Sequence, residues 1–199
     1  MSAMTERDEE RSAIERAQAG SVEAFEPLVS LYGSRIIRLA YHFLGDWEEA
    51  RDLAQETFAR AYLCLNRYDP ERPFGAWIFT IAARLATDRL RHRRIRARAG
   101  ESLRQLASEG PSPLDTLSAL SLKEALGRLT PRQRQAVVLC DLHGFTAAEA
   151  ASMIDSTPST VRVLRFLARR RLRELLGAAN IAGLAGGSEA DRMATEVIE

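Results

Sequence analysis

The sequence predicts an all-α protein of two small helical domains joined by a flexible linker, with a helix-turn-helix in the second domain. Ala, Leu, Arg and Glu dominate the 199 residues, and no strand-like run of Val, Ile, Thr and Tyr stands out. Apolar residues recur at helical spacing in two separate blocks. Between these blocks the periodicity disappears, and Gly110, Pro111 and Pro113 interrupt the chain.

The basic residues are concentrated in two short blocks, although the net charge is only +1. Lys123 is the single lysine, and six arginines fall within Arg89–Arg98 and six more within Arg162–Arg173. Two basic blocks in a near-neutral protein predict two local contacts with anionic partners. Arginine also suits bidentate contact with phosphate or guanine.

The first domain is predicted over residues 21–96, after an acidic N-terminal segment at residues 1–20. Asp46 followed by Glu49 is typical of a helix cap after the break at Gly45. A first helical block is predicted at about Ser21–Tyr32 and continues through Arg35–Leu44. Helices follow at about Trp47–Leu65 and Ala76–Arg96, with a proline-containing loop before the last.

The second domain is predicted over residues 119–177, after a linker at 97–118 and before a tail at 178–199 to which the sequence assigns no role. Thr146-x-x-Glu149 forms a capping box, and Thr157-Pro158 opens a longer helix. A short capped helix, a tight turn and a basic helix together predict a helix-turn-helix. The predicted buried stripe of the second helix contains Val161, Leu164, Ala168 and Leu172.

Aromatic and basic residues also lie together in the first domain. Tyr68, Phe74 and Trp77 surround a proline-stiffened loop, and arginines follow on the next helix. Aromatic rings beside guanidinium groups suit unpaired bases, because any base can stack while the arginines hold the strand. The alternative is that Phe74 and Trp77 anchor the loop in the core.

Two stretches resemble the extracytoplasmic-function (ECF) sigma factors of bacterial RNA polymerase, within the sigma-70 family. The first reads EEARDLAQETFARAYLCLNRYDPERPFGAWIFTIAARLATDRLRHRR, and the second reads ALGRLTPRQRQAVVLCDLHGFTAAEAASMIDSTPSTVRVLRFLARRRLREL. Together they cover about Phe25 to Leu176. The resemblance implies an alternative sigma factor that binds core polymerase, recognises promoter −10 and −35 elements and opens DNA.

The resemblance also implies which residues act. Those expected to bind the clamp helices of the largest polymerase subunit are Asp52, Gln55 and Glu56. Those expected at the −10 element, where the loop from Arg67 to Phe74 captures a flipped base, are Tyr68, Phe74, Trp77, Arg84, Asp88 and Arg91. Those expected at the −35 element are Ser159, Thr160, Arg162, Val163, Phe166, Arg169 and Arg170. An anti-sigma factor is a further expected partner.

Other classes of function are less well supported. The sequence contains no nucleophile–base set, phosphate loop or metal cluster, so we expect no enzyme, cofactor or metal site. Cys140-x-x-His143 lacks a second ligand pair and predicts buried packing. No apolar stretch approaches the roughly 20 residues that span a bilayer, so a cytoplasmic protein without membrane insertion is expected. Two rivals remain open: a stand-alone helix-turn-helix regulator, and a sigma-mimicking protein that sequesters an anti-sigma factor.

Overall fold

The computed structural model describes residues 2–98 and 117–176. These residues form helices and turns, with no strand among them. The first domain contains four helices: α1 (Ser2–Gln18), α2 (Glu26–Leu44), α3 (Trp47–Leu63) and α4 (Phe74–Arg98). The second contains four more: α5 (Leu117–Gly127), α6 (Pro131–Val137), α7 (Ala147–Met153) and α8 (Pro158–Leu176). The predicted all-α class with two helical domains is confirmed.

Local sequence signals determine where the helices of the first domain begin and end. Gly45 ends α2 in the left-handed conformation (φ 73°), which costs a glycine little. Asp46 then caps α3, because its Oδ1 accepts a hydrogen bond from Glu49 N at 2.9 Å. At the start of α4, a Cβ on Gly75 would lie 3.1 Å from Cε1 of Tyr32, so glycine permits close packing of α4 on α2.

The core of the first domain is a layer of apolar side chains between α2, α3 and α4. Its largest fully buried members are Phe43, Phe79, Leu28, Ile36, Leu39, Leu53, Leu65 and Ile78. The N-terminal helix α1 adds Ala13, Ile14 and Ala17 to this core. The segment that the sequence suggested only as acidic is therefore an integral helix of the first domain.

The helix-turn-helix of the second domain has the predicted caps. Thr130 and Thr146 form complete capping boxes, with Gln133 and Glu149 respectively. Thr157 Oγ1 accepts a hydrogen bond from Thr160 N at 3.2 Å and so caps α8. In the turn between α7 and α8, Asp155 adopts a positive φ of 49°, which aspartate tolerates better than most residues.

Between α6 and α7 the chain forms a π-helical segment at Val138–Leu142. The segment is the wider turn that ends the helix begun at Pro131. Cys140 lies in it and is buried at 7% exposure, as predicted. Asp141 is the next residue of the same segment, so the wider turn helps to determine where its carboxylate points.

The two domains pack directly against each other. Phe79 of α4 lies 5.3 Å from the ring of Phe145 in the second domain. Arg134 of α6 donates across the interface to the carbonyl of Phe43 at 2.9 Å, and Gln135 Nε2 donates to Thr87 Oγ1 at 2.9 Å.

Most of the predicted linker at 97–118, and the tail at 178–199, lie outside the described residues. None of the described helices is long and apolar enough to cross a membrane.

Candidate nucleic-acid and polymerase interfaces

Helix α8 presents an exposed basic and apolar face. Its packing side contains Val161, Ala168 and Leu172, all nearly inaccessible, and Leu164 is half-buried. The opposite side is exposed as predicted and carries Ser159, Thr160, Arg162, Val163, Phe166, Arg169 and Arg170. Phe166 is 68% exposed, which is unusual for an aromatic residue in a folded domain. A helix of this composition in a helix-turn-helix can enter a DNA major groove.

Two arginines of α8 are bound to a buried carboxylate. Asp141 Oδ1 accepts from Arg165 Nε at 2.9 Å and Nη2 at 2.6 Å, and from Arg169 Nη2 at 2.6 Å. The Asp141 side chain is only 6% exposed. Hydrogen bonding to Asp141 raises the pKa of the Arg165 guanidinium. Asp141 is not among the residues predicted from the sequence, although an acidic residue at the end of an apolar helix is a usable signal.

The −10 residues predicted on α4 share one face of that helix. Trp77, Arg84, Asp88 and Arg91 follow heptad-like spacing. Arg84 is exposed, Trp77 is half-buried, and Asp88 forms a short ion pair with Arg91. Two further arginines of the block are turned toward α3, since Arg89 binds Glu56 at 2.9 Å and Arg93 binds Glu49.

Two predicted −10 residues lie in the core. Phe74 is 2% exposed and Tyr68 is 7% exposed. Their rings pack at 5.3 Å, and Trp77 lies 5.2 Å from Tyr68 and 5.4 Å from Phe74. The expectation that these two rings present a free stacking surface is therefore wrong for this structure. The alternative of an aromatic anchor describes them, because the helix start at Phe74 folds over Tyr32.

Above this aromatic cluster lies an exposed loop at residues 69–73. Tyr68 Oη donates to the carbonyl of Arg72 at 2.5 Å, and Asp69 Oδ1 accepts from Glu71 N at 3.1 Å. The first bond ties the end of the loop to the aromatic cluster, and the second stabilises the loop from within. Burial, then the nearby Glu10 carboxylate, raise the pKa of Tyr68, so this phenol remains a hydrogen-bond donor at neutral pH.

The predicted polymerase-binding patch on α3 is partly open. Asp52 and Gln55 are exposed. Glu56 is half-buried and binds both Arg60 at 2.7 Å and Arg89 at 2.9 Å. Glu56 thus has a structural task within the domain, whereas Asp52 and Gln55 remain accessible to a partner.

The helix-turn-helix lies beside the predicted −10 face. Arg84 of α4 and Asp155 of the turn approach to 3.7 Å, and a cleft between the domains is lined by residues of both, including Asp88, Arg91 and Arg132. The predicted −10 face is therefore in contact with the second domain, close to the start of α8. The sequence predicts two separate domains and does not predict this arrangement.

A pair of histidines lies in the same interface. The rings of His42 and His143 are 5.7 Å apart, and Phe79 packs beside His143 at 5.9 Å. His42 Nδ1 and His143 Nε2 are buried and have no hydrogen-bond partner among the described residues. Burial, then the charge of Arg38, lower the pKa of His42 to about 4. Burial, then His42 and the nearby arginines, hold the pKa of His143 well below its usual value.

Family models match both domains. The model described as Sigma-70 region 2 matches residues 28–96, and the model described as Sigma-70, region 4 matches residues 119–172. The two matches together correspond to the two helical domains, in the same order.

Curated proteins and solved structures agree with these matches. The ECF RNA polymerase sigma factor BldN of Streptomyces coelicolor is 36% identical over 82% of the chain, which spans 64% of BldN. RNA polymerase sigma factor CarQ of Myxococcus xanthus is 34% identical over 82% of the chain and 95% of CarQ. The sigma factor RpoE of Bartonella quintana, solved in complex with the anti-sigma factor NepR, is 25% identical with a TM-score of 0.68, over 79% of the chain and 99% of RpoE.

Proposed function

Because the chain belongs to the extracytoplasmic-function sigma factors of the sigma-70 family, we propose that it binds core RNA polymerase and directs promoter-specific initiation of transcription. One observation carries this proposal. A single chain holds an exposed helix-turn-helix face on α8 and a second, distinct surface on α4 with its adjoining loop. A stand-alone regulator would need only the first surface.

The −35 element is assigned to α8. Ser159 and Arg162 near the start of the helix offer hydroxyl and guanidinium groups to base edges, and Phe166 or Val163 offers apolar contact to a thymine methyl. Each of these side chains is exposed and lies opposite the packing stripe. Arg170 pairs with the exposed Glu174 at 3.5 Å, so a phosphate can displace this partner.

The −10 element is assigned to the exposed loop at 69–73 together with Trp77, Arg84, Asp88 and Arg91. In this arrangement Tyr68 and Phe74 form the base of the loop and do not touch DNA. A flipped nucleobase would be held by loop residues and by the half-buried Trp77, which lies next to the buried Tyr68 and Phe74 rings. Loss of either core aromatic would then impair opening indirectly, by loosening the loop.

Binding both elements requires the domains to separate. Elements centred at −10 and −35 lie 25 positions apart, which corresponds to about 85 Å of duplex at roughly 3.4 Å per base pair. Arg84 of the −10 surface and Asp155, in the turn just before α8, lie 3.7 Å apart in this structure. The chain between Arg98 and Leu117 can span at most about 65 Å at roughly 3.5 Å per residue. Helix α4, with 25 residues, adds about 37 Å at roughly 1.5 Å per residue, so the linker and the domains together can cover the distance.

The core-polymerase contact is assigned to α3 through Asp52 and Gln55, with Glu56 contributing its remaining exposed edge. These residues would meet the clamp helices of the largest subunit. An anti-sigma factor is a second proposed protein partner, as for RpoE with NepR. The protein would act in the cytoplasm, through binding and without a catalytic step of its own.

Run-off transcription tests the proposal. The full chain, added to core polymerase and genomic promoter fragments, should give discrete start sites that core polymerase alone does not give. If the chain alone binds promoter duplex with the same affinity and selectivity as the chain bound to polymerase, a stand-alone regulator is favoured instead. The variant Asp52→Arg, which should not bind core polymerase, should give no start sites beyond those of core polymerase alone.

A further inference from the structure

Asp141 and the arginines of α8 form a cluster that the proposed recognition of DNA does not explain. Arg165 and Arg169 lie one turn apart on α8, and both donate to the same oxygen of Asp141. Asp141 comes from the π-helical segment, a different element. We infer that Asp141 is a positioning residue that withholds these two arginines from DNA and thereby raises the selectivity of α8 for its −35 sequence.

The environment of the carboxylate makes this interaction hard to displace. The side chain is only 6% exposed, and its Oδ2 is buried with no hydrogen-bond partner among the described residues. The charge of Asp141 is thus compensated through Oδ1 and the two guanidinium groups. Taking both arginines away would leave a buried, poorly compensated anion, which is strongly unfavourable.

The other ion pairs of α8 are different. Arg170 and Arg171 share Glu174 at 3.5 Å and 3.0 Å, and the side chain of Glu174 is 48% exposed. An exposed pair of this kind contributes little, so a phosphate can replace Glu174 readily. The six arginines of the block therefore fall into two groups: two retained by Asp141, and the others available to DNA.

This division bears on selectivity because phosphate contact is independent of sequence. Each phosphate neutralised by an arginine adds to binding of every DNA, matched or not. Retaining Arg165 and Arg169 lowers the nonspecific affinity. The same contacts fix the rotation of α8, so that Arg162 and Phe166 face outward where base edges can be distinguished.

The inference rests on the proposed −35 recognition by α8, and it changes one predicted assignment. Arg169 was expected to contact −35 DNA. Its exposure of 51% would allow that, but its guanidinium is engaged by Asp141 at 2.6 Å. Arg169 is thus assigned to positioning, whereas Arg170 remains a phosphate contact.

The test measures binding of reconstituted polymerase, carrying the full chain, to two duplexes that differ only at the −35 element, over a range of salt. Asp141→Asn keeps the shape of the side chain and releases both arginines, which are partly exposed and can turn to solvent. We expect the slope of log Kobs against log salt to steepen by about 1–2 units, at roughly 0.9 per phosphate. The ratio of matched to unmatched affinity should fall several-fold. The matched control is Glu174→Gln, which makes the same charge change at an exposed pair and should leave the slope and the ratio unchanged.

A second comparison does not depend on the folding of the Asp141 variant. Arg170→Gln should lower the slope by about one unit, as loss of a phosphate contact does. Arg169→Gln should leave it unchanged. If Arg169→Gln lowers the slope as much as Arg170→Gln, or if Asp141→Asn behaves as Glu174→Gln does, the inference is wrong. If wild-type polymerase does not distinguish the two duplexes, the proposed −35 function fails, and the two arginine variants still decide whether Asp141 withholds Arg169.

Discussion

The two DNA-facing helices, α4 and α8, differ in how far their surfaces are already available. On helix α8 the side chains proposed to contact base edges are exposed to solvent, with Phe166 at 68% exposure. Around the start of α4, the aromatic rings of Tyr68 and Phe74 are buried, and further along the helix Arg89 and Arg93 are bound to α3. The −35 surface is therefore preformed. The −10 surface depends on a loop that rests on buried aromatic rings, and it becomes accessible only when the second domain moves away from α4.

The largest expected difference is in how much an aromatic residue of each surface contributes to the free energy of unfolding. Phe74→Ala should lower the free energy of unfolding by about 3–5 kcal/mol, because it deletes a buried ring that packs on three other aromatic residues. Phe166→Ala should change it by no more than about 0.5 kcal/mol, since the ring is exposed. Thermal or urea unfolding of the two variants checks this. Equal stability losses would show that the two aromatics do not have different environments.

The domain interface should depend strongly on Arg134. Its guanidinium donates to the carbonyls of Phe43, Leu126 and Gly127, and burial lowers its pKa. Arg134→Met should weaken the interface by about 1.5–3 kcal/mol, because the Phe43 carbonyl across the interface loses its charged donor. The maximum dimension in small-angle scattering of the free chain should increase. A chain that stays equally compact would show that the apolar contacts around Phe79 are sufficient.

Acidification should also weaken the interface. Both His42 and His143 have lowered pKa values in the folded chain, about 4 for His42, against roughly 6.5 when unfolded. Their contribution to stability is fully present above about pH 6.5 and is lost as the pH falls toward 4, since the unfolded or separated chain binds protons more readily. The charged groups near the pair, Arg35 and Arg38, oppose protonation further.

The pH effect can be assigned with two variants. His42→Phe should reduce the loss of stability between pH 7 and pH 5, measured by thermal unfolding, because a neutral ring replaces a titrating one. His92→Gln removes an exposed histidine of α4 and serves as the control. A pH profile that is identical in wild type and His42→Phe would contradict the account of this pair.

The smallest effect on stability is expected on the acidic patch. Asp52→Arg should leave the melting temperature within a degree or two, since the side chain is exposed, yet it should abolish capture of core polymerase. Glu9→Arg, the same charge change at an exposed residue of α1, is the control and should bind normally. Normal polymerase affinity of Asp52→Arg would show that the patch is not the contact. Glu56 is unsuitable for this test, because Arg89 and Arg60 depend on it.

Sequence patterns were sufficient for most of the local structure and for the exposed face of α8. The caps at Asp46, Thr130 and Thr146 and the helices near them follow from side chains that bond their own backbone. The stripe of Val161, Ala168 and Leu172 follows from a period of 3.6 residues. Such signals are local, so one sequence contains them completely.

The remaining features depend on contacts between distant parts of the chain. The burial of Phe74 depends on Tyr32, and the retention of Arg169 depends on Asp141, 28 positions away. The contact between α4 and the second domain joins residues on either side of the predicted linker, such as Thr87 and Gln135. Periodicity and composition do not encode these pairings, and an aromatic beside arginines predicts a stacking surface and a core anchor equally well.

The most direct test of the account is the distance between the two domains during initiation. Cys64 is exposed and Cys140 is buried, so adding Glu124→Cys on α5 gives one accessible labelling position in each domain. The distance between labels should increase by tens of ångströms, on the order of 30 Å or more, when the chain binds core polymerase and promoter DNA, because the −10 and −35 surfaces must separate. A transcriptionally active promoter complex in which the distance stays within about 5 Å of its value in the free chain would contradict the proposed function of the two surfaces.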